Sequence, residues 1–378
     1  MHLEFTEEQL MIQEMAKNFS KKELCPVAAT VDDEERFPFE QVKKLHELGL
    51  MGMLVPEAYG GSSSGAVSFA LALAEISGGC ASTSVTMGVS NMVGEILYRF
   101  GNEKQHRKYL PGLCRGDLGL AAFALSEPGA GSDAQAIRTF ARKKGNTYRM
   151  SGSKVFITNG EHAGVVVAMA LTRKNPREIT AFIVEPGFEG FNVGKREKKM
   201  GLRGSNTVEL IFDDMEVPDE NVLGGEGNGF KIAMSALDGG RIGIGSQCVG
   251  IATAALEGAV KYAEERIQFG VPISDFQAIQ WMIADSATEI DAARLLTLRA
   301  AFLKDRGVRF SREASMAKLY ASEMAYRVCN RAVQIFGGYG YTTDYPAERH
   351  LRDVKVTTIY EGTSEVQRMV ISRDLLKD

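Results

Sequence analysis

The sequence lacks any paired arrangement of cysteines: Cys25, Cys80, Cys114, Cys248 and Cys329 lie far apart and form no Cys-x-x-Cys. That excludes a zinc knuckle and a disulfide framework, and it fits a reducing compartment. The five histidines, His2, His46, His106, His162 and His350, are equally scattered, and no two share the i, i+4 spacing of a helical metal site. No metal is expected. An excess of positive charge is also missing, since the formal net charge is -4. Nucleic-acid binding is disfavoured, and the dense basic run Lys195-Arg196-Glu197-Lys198-Lys199 reads as a solvated hairpin or loop. The longest apolar stretches, such as 164–171, fall far short of the roughly 20 residues that cross a bilayer. Met1-His2-Leu3-Glu4-Phe5 leads straight into a helical pattern without the basic start and apolar core of a signal peptide. A cytoplasmic protein with no membrane insertion is expected. No Gly-x-Gly-x-x-Gly follows a predicted strand, which disfavours a Rossmann fold.

What the chain does have is length and core-forming residues: 378 residues, 44% hydrophobic, enough for two or three domains. Its texture changes twice. Over 1–118 apolar residues recur three or four apart, as in Leu10-Ile12-Met15-Ala16-Phe19 and Val42-Leu45-Leu48-Met51. Within this part the breaker cluster 56–65 precedes Phe69 to Tyr98, a stretch without a single Lys or Arg. Over 119–223 short β-branched and aromatic runs alternate with Gly, Pro and Asn, at the spacing of a small β-barrel or sandwich. Over 224–378 the pattern is helical again, with long helices predicted over 246–266, 275–306 and 311–336. In the second of these, Phe276, Ile279, Ile283, Ala287, Ile290 and Ala293 share a face, while Leu295, Leu298 and Phe302 form another that calls for a partner. The expected class is α+β, with an N-terminal helical domain, a middle β domain and a C-terminal four-helix bundle that oligomerises.

Several clusters bear chemistry. Glu361, in Tyr360-Glu361-Gly362-Thr363, is a carboxylate beside a glycine that admits unusual backbone turns. In an apolar pocket it would lose hydration and become a stronger base toward a carbon acid; as an exposed or capping residue of the last helix it would do nothing. The run 123–133, Phe-Ala-Leu-Ser-Glu-Pro-Gly-Ala-Gly-Ser-Asp, offers hydroxyls and free amides for a planar polar ring or an anion, or is an ordinary Gly-rich turn. Phe156 and Thr158 alternate with Val155 and Ile157, so an aromatic face and a hydroxyl are expected to point the same way. Arg266-Ile267-Gln268-Phe269-Gly270, with Gln277, suits a diphosphate contact or a helix C-cap. The run 334–341, Gln-Ile-Phe-Gly-Gly-Tyr-Gly-Tyr, suits close backbone approach or a plain helix stop.

Taken together, 124–133, 334–341 with Asp344, Arg349 and Asp353, and Tyr360-Glu361-Gly362-Thr363 resemble the acyl-CoA dehydrogenase family over essentially the whole length. The resemblance implies FAD as cofactor, with Phe123, Ser126, Ser132, Phe156 and Thr158 around the flavin ring. Phe156 replaces a Trp common in many members. It further implies that Arg266, Gln268, Phe269 and Gln277 reach the diphosphate and adenine from a neighbouring subunit, joined by Gln334, Gly338, Thr363 and, at the adenosine end, Glu365. Asp238 and Arg241 match residues near the coenzyme A portion of the substrate, Ser132 lies beside both ligands, and Tyr360 and Gly362 flank the base. The implied reaction is α,β-dehydrogenation of an acyl-CoA thioester, with Glu361 as base and an electron-transferring flavoprotein as acceptor. A homotetramer is implied.

Some branches take the base from the position held here by Gly240, which leaves Glu361. The runs 237–244 and 346–353 look most like short-chain, butyryl-type members. Glutaryl-CoA members of the family usually take a cation for the distal carboxylate from near the segment held here by 77–82; no Lys or Arg lies between Phe69 and Tyr98, so the resemblance disfavours a dicarboxylyl substrate. Branched- or cyclic-acyl dehydrogenases, an acyl-CoA oxidase and a non-catalytic flavin- or CoA-binding subunit are the alternatives.

Overall fold

Among the described residues up to 118 six α-helices form: α1 (Glu7–Phe19), α2 (Ala28–Asp33), α3 (Phe39–Glu47), α4 (Gly65–Gly79), α5 (Ala81–Phe100) and α6 (Glu103–Arg115). The computed structural model describes residues 4–376; Met1, His2, Leu3, Lys377 and Asp378 lie outside it. Helix α1 starts where the sequence can satisfy its free amides. Thr6 Oγ1 accepts from Gln9 N (3.2 Å) and Gln9 Oε1 accepts from Thr6 N (3.0 Å), a reciprocal cap. The stretch without basic residues becomes α4 and α5, and α4 is buried along most of its length, from Ala66 to Leu73 and again at Ile76. A helix apolar all round must be covered on all sides. Here α1 and the long helix α7 described below pack against it.

The middle segment is one sheet of eight strands: β1 (Leu120–Ala124), β2 (Phe140–Lys144), β3 (Thr147–Thr158), β4 (Ala163–Lys174), β5 (Arg177–Val184), β6 (Phe191–Arg196), β7 (Thr207–Pro218) and β8 (Val222–Leu223). Hydrogen bonding follows the order β6-β7-β3-β2-β4-β5-β8, with β1 parallel to β4. Alternation puts Tyr148, Met150, Phe182, Leu210 and Phe212 into a core of the sheet's own. Val165, Val167, Met169, Ala181 and Ile183 instead join a core with α5, α6 and α7. The register of β3 against β7 slips between Lys154 and Ile157, a bulge in which Phe156 has φ 59°.

The remainder is α7 (Gly229–Glu265), a small hairpin of β9 (Ile267–Gln268) and β10 (Val271–Pro272), α8 (Gln277–Asp305), α9 (Ser311–Phe336), α10 (Ala347–Lys355) and α11 (Ser364–Leu375). Helices α7, α8 and α9 pack on one another, and α11 packs on α9. Helix α7 has 37 residues and begins well before residue 246, where periodicity placed its start. Its glycines weaken the local helical signal, yet contacts require them. A Cβ on Gly250 would lie 2.0 Å from the Ala74 carbonyl oxygen, and one on Gly245 2.7 Å from Thr297 Oγ1. The face predicted for α8 also differs in one place: Ala287 is exposed and Ser286 is buried, its hydroxyl donating to Met282 O (2.7 Å). Of the second face, Leu298 packs within the protomer, whereas Leu295 and Phe302 remain exposed.

Candidate active site

Between α9 and α11 the chain makes the turn that carries Glu361. Glu361 has φ 54° and Gly362 φ 88°, so two successive residues are left-handed. The first is a strained position for a residue with a side chain. Three buried side chains hold it there. Lys318 Nζ, on α9, donates to the Gly362 carbonyl (2.8 Å). Gln367 Nε2, on α11, donates to the same oxygen (2.8 Å) and to the Glu361 carbonyl (3.1 Å). The Tyr360 hydroxyl donates to Gln247 Oε1 on α7, while Gln247 Nε2 donates to Ser84 Oγ (3.0 Å) on α5. Thr363, not Glu361, caps α11, accepting from Val366 N (3.3 Å). Among the described residues no acceptor takes the Glu361 N–H.

The Glu361 side chain points into a narrow cleft between α5 and α7, walled by Phe69, Val85, Val89, Met92 and Ile244. Although the residue is partly exposed, its Oε2 atom is buried and has no hydrogen-bond partner. Burial therefore pushes the carboxyl up to about 7, against the opposing pull of Arg241 and Lys318. Gly240 makes room for it: a Cβ there would come within 2.6 Å of Glu361 Oε2. A group at neutral pH that can take a proton, aimed into an apolar cleft without a partner, is equipped for general base chemistry on a carbon acid.

Thr158 reaches the same cleft from the end of β3. Ser126 is half-buried at the end of β1, where its carbonyl accepts from Val155 N (2.9 Å). The turn after it is fixed by a buried ion pair: Lys154 Nζ donates to Glu127 Oε1 (2.7 Å) and to Leu125 O (3.1 Å), and Glu127 also accepts from Arg138 N and Thr139 N. Phe156 is 66% exposed; the bulge breaks the regular alternation expected of it. Phe123 is half-buried and Ser132 exposed, and Cβ atoms on Gly129 and Gly131 would meet only open space. An exposed aromatic face, hydroxyls and free loop amides fit a planar ring with a hydrogen-bonding edge, as FAD presents.

The expected diphosphate and adenine contacts do not join Glu361 within one protomer. Arg266, Gln268, Gln277, Gln334 and Gly338 are exposed, Phe269 is 95% exposed at φ 53°, and none of them lines the cleft. Arg266 lies over the Tyr339 ring at 5.7 Å. Glu365 is exposed in the first turn of α11. Arg241 is buried, its Nη1 donating to Asp238 Oδ1 (2.6 Å), while the other Asp238 oxygen accepts from Ser311.

Sequence reasoning passed over Lys318 and Gln367. The signal for Lys318 was a lysine among Ala314, Ala317, Ala321 and Ala325, all buried on one side of α9. It also passed over an ion pair beside the cleft. Lys304 of α8 meets Glu95 of α5 (2.6 Å), and Glu95 lines the cleft.

Comparison with known proteins agrees with this architecture segment by segment. The chain matches the acyl-CoA dehydrogenase N-terminal domain over residues 6–117, the middle domain over 122–215 and the C-terminal domain over 227–376. It is 52% identical to an acyl-CoA dehydrogenase of Bacillus subtilis, covering 98% of both chains. It is 49% identical to the mitochondrial short-chain specific acyl-CoA dehydrogenase of Bos taurus, covering 99% of this chain and 92% of that one. Among solved structures, butyryl-CoA dehydrogenase from Megasphaera elsdenii superposes with a TM-score of 0.98 at 44% identity, over 100% of both chains. A chain solved in work on the electron transferring flavoprotein of Acidaminococcus fermentans does so with 0.98 at 49% identity, again over 100% of both. With all three segments present in one order, the chain belongs to the acyl-CoA dehydrogenase family of flavoprotein oxidoreductases.

Proposed function

We propose that this protein is an FAD-dependent short-chain acyl-CoA dehydrogenase in which Glu361 takes the α-proton of the thioester. The observation that carries the reading is the Glu361 carboxylate, buried at Oε2, unpartnered and facing an apolar cleft. The chemistry that FAD would supply, when bound, is that of a hydride acceptor for the β-hydrogen. The protein's own part is to hold the acyl group flat between that acceptor and Glu361, to exclude water, and to place the free Glu361 N–H against the thioester carbonyl, where charge develops as the α-proton leaves. Ser126, Phe156 and Thr158, with Phe123 and Ser132, would hold the ring. Arg266, Gln268, Phe269, Gln277, Gln334 and Gly338, exposed in the single chain, would reach the cofactor of a neighbouring copy in a homotetramer, together with Thr363 and Glu365. Asp238 and Arg241 would serve the coenzyme A side.

Likeness to a short-chain specific enzyme and to butyryl-CoA dehydrogenase supports a short acyl group. Likeness to a chain solved in work on an electron transferring flavoprotein supports such a protein as electron acceptor. The test is anaerobic: butyryl-CoA should bleach the flavin absorption of the wild-type holoenzyme. Glu361→Gln should bind the ester and leave the flavin oxidised, its rate lower by roughly 10²- to 10⁴-fold. Full-speed bleaching by that variant removes Glu361 from the role of base.

A further inference from the structure

Among the described residues no acceptor takes the N–H of Leu125 or of Ser126, in the loop that follows β1. The carbonyls of both are taken. Lys154 Nζ donates to Leu125 O (3.1 Å), and Val155 N donates to Ser126 O (2.9 Å). Two free amides in succession call for an acceptor from outside the chain. Lys154 and Glu127 are both buried, with Nζ 2.7 Å from Glu127 Oε1, and Glu127 also accepts from Arg138 N and Thr139 N just before β2. A carboxylate cannot bond a carbonyl, so the ammonium is the charge in contact with the Leu125 oxygen. That oxygen and the Ser126 N–H belong to one peptide group. A cation bonded to the oxygen draws electron density toward it and makes the N–H a stronger donor. Bracing alone accounts poorly for the pair, because apolar residues of equal volume commonly hold a fold as well as a buried ion pair does. Lys154 also stands two residues before Phe156, in the bulge of β3, and four before Thr158 in the cleft. It therefore joins both halves of the expected ring site.

We propose that Lys154 is a positioning residue that tunes the flavin: held by Glu127 and acting through the Leu125–Ser126 peptide, it favours the reduced ring over the oxidised one. The proposal rests on the FAD reading given above and adds to it a residue that sets the redox balance of the cofactor. Reduction adds two electrons to a flavin, and the polar edge of its ring becomes richer in negative charge. A strengthened donor at that edge would bind the reduced form more tightly than the oxidised one. Affinity and potential are linked. Each ten-fold preference for the reduced form raises a two-electron potential by about 30 mV. A brace without electrical effect would tighten both forms equally and leave the potential unmoved.

The test is a dye-equilibrated anaerobic reductive titration of the holoenzymes with FAD added to saturation, alongside the Kd of oxidised FAD. The wild-type potential should lie above that of free FAD. Lys154→Met with Glu127→Gln removes both charges and keeps the side-chain bulk. The potential of this double variant should fall below the wild-type value by about 30 mV, a ten-fold loss of preference for reduced flavin. Lys154→Met alone, where it stays folded, leaves the carboxylate uncompensated beside the loop, and its potential should fall further. A wild-type potential at or below that of free FAD overturns the tuning role and needs no variant to do so. A double variant that binds oxidised FAD more weakly at an unchanged potential overturns it as well, since that is the behaviour of a brace. So does a folded double variant that takes up no FAD, because the loss then lies in the shape of the loop. A wild-type chain that takes up no FAD overturns the cofactor reading itself, and the tuning role with it.

Discussion

Replacing Glu361 by Gln should inactivate the enzyme and stabilise it at the same time. Burial moves the carboxyl from its usual 4.5 to about 7. The folded protein thus holds a proton that the unfolded chain has released, and between about pH 4.5 and pH 7 stability falls as pH rises. Above that window the loss is complete. At about 1.4 kcal/mol per pH unit it amounts to roughly 3 kcal/mol, an upper figure because the residue keeps some exposure to solvent. The amide of the Glu361→Gln variant does not titrate, so that variant should gain on the order of 1 to 3 kcal/mol over wild type at pH 8 and little near pH 5. The wild-type rate carries the same titration. Only the carboxylate form is a base, so flavin reduction should fall roughly ten-fold for each pH unit below 7. The assays are denaturation midpoints of both holoenzymes at pH 5 and pH 8, and stopped-flow reduction by butyryl-CoA from pH 5.5 to 8.5. A flat wild-type rate profile, or a variant no more stable at pH 8 than at pH 5 relative to wild type, would refute a buried, proton-holding Glu361.

Lys318→Met removes a charge-assisted bond to the Gly362 carbonyl, worth about 1.5 to 3 kcal/mol, and a cation that holds Glu361 down. Its pH-rate midpoint should therefore move above the wild-type value of about 7, and an unmoved midpoint would deny it that influence. Lys154→Met leaves Glu127 buried beside two backbone donors without its cation. It should lower stability by about 3 to 5 kcal/mol, read as the urea midpoint, and loosen flavin retention on dilution. Gly250→Ala places a methyl carbon 2.0 Å from the Ala74 carbonyl oxygen, so the α4–α7 crossing must open at a cost of about 3 kcal/mol or more. A wild-type urea midpoint would show that the crossing is looser than this.

How much of this was legible beforehand depended on how local each signal is. The change from 3.6-residue to two-residue periodicity and back lies in neighbouring residues, and the strands of the eight-stranded sheet lie between Leu120 and Leu223. The scattered spacing of the cysteines and the acidic balance needed no fold to be read. Glu361 stood out because Gly362 follows it, and the two residues are indeed consecutive left-handed positions. The first half of α7 was missed because glycine weakens a helix by about 1 kcal/mol per residue relative to alanine, while the reasons for Gly240 and Gly245, Glu361 and Thr297, lie far along the chain.

Composition and periodicity thus determined the three-part order, the absence of paired thiols and the place of the acidic turn, because those properties belong to adjacent residues. The tertiary structure alone decided that Glu361 is desolvated, that Lys318 and Gln367 hold its backbone, and that Lys304 reaches Glu95. Desolvation and charge pairing depend on which distant segments meet, and that is settled only when the core closes.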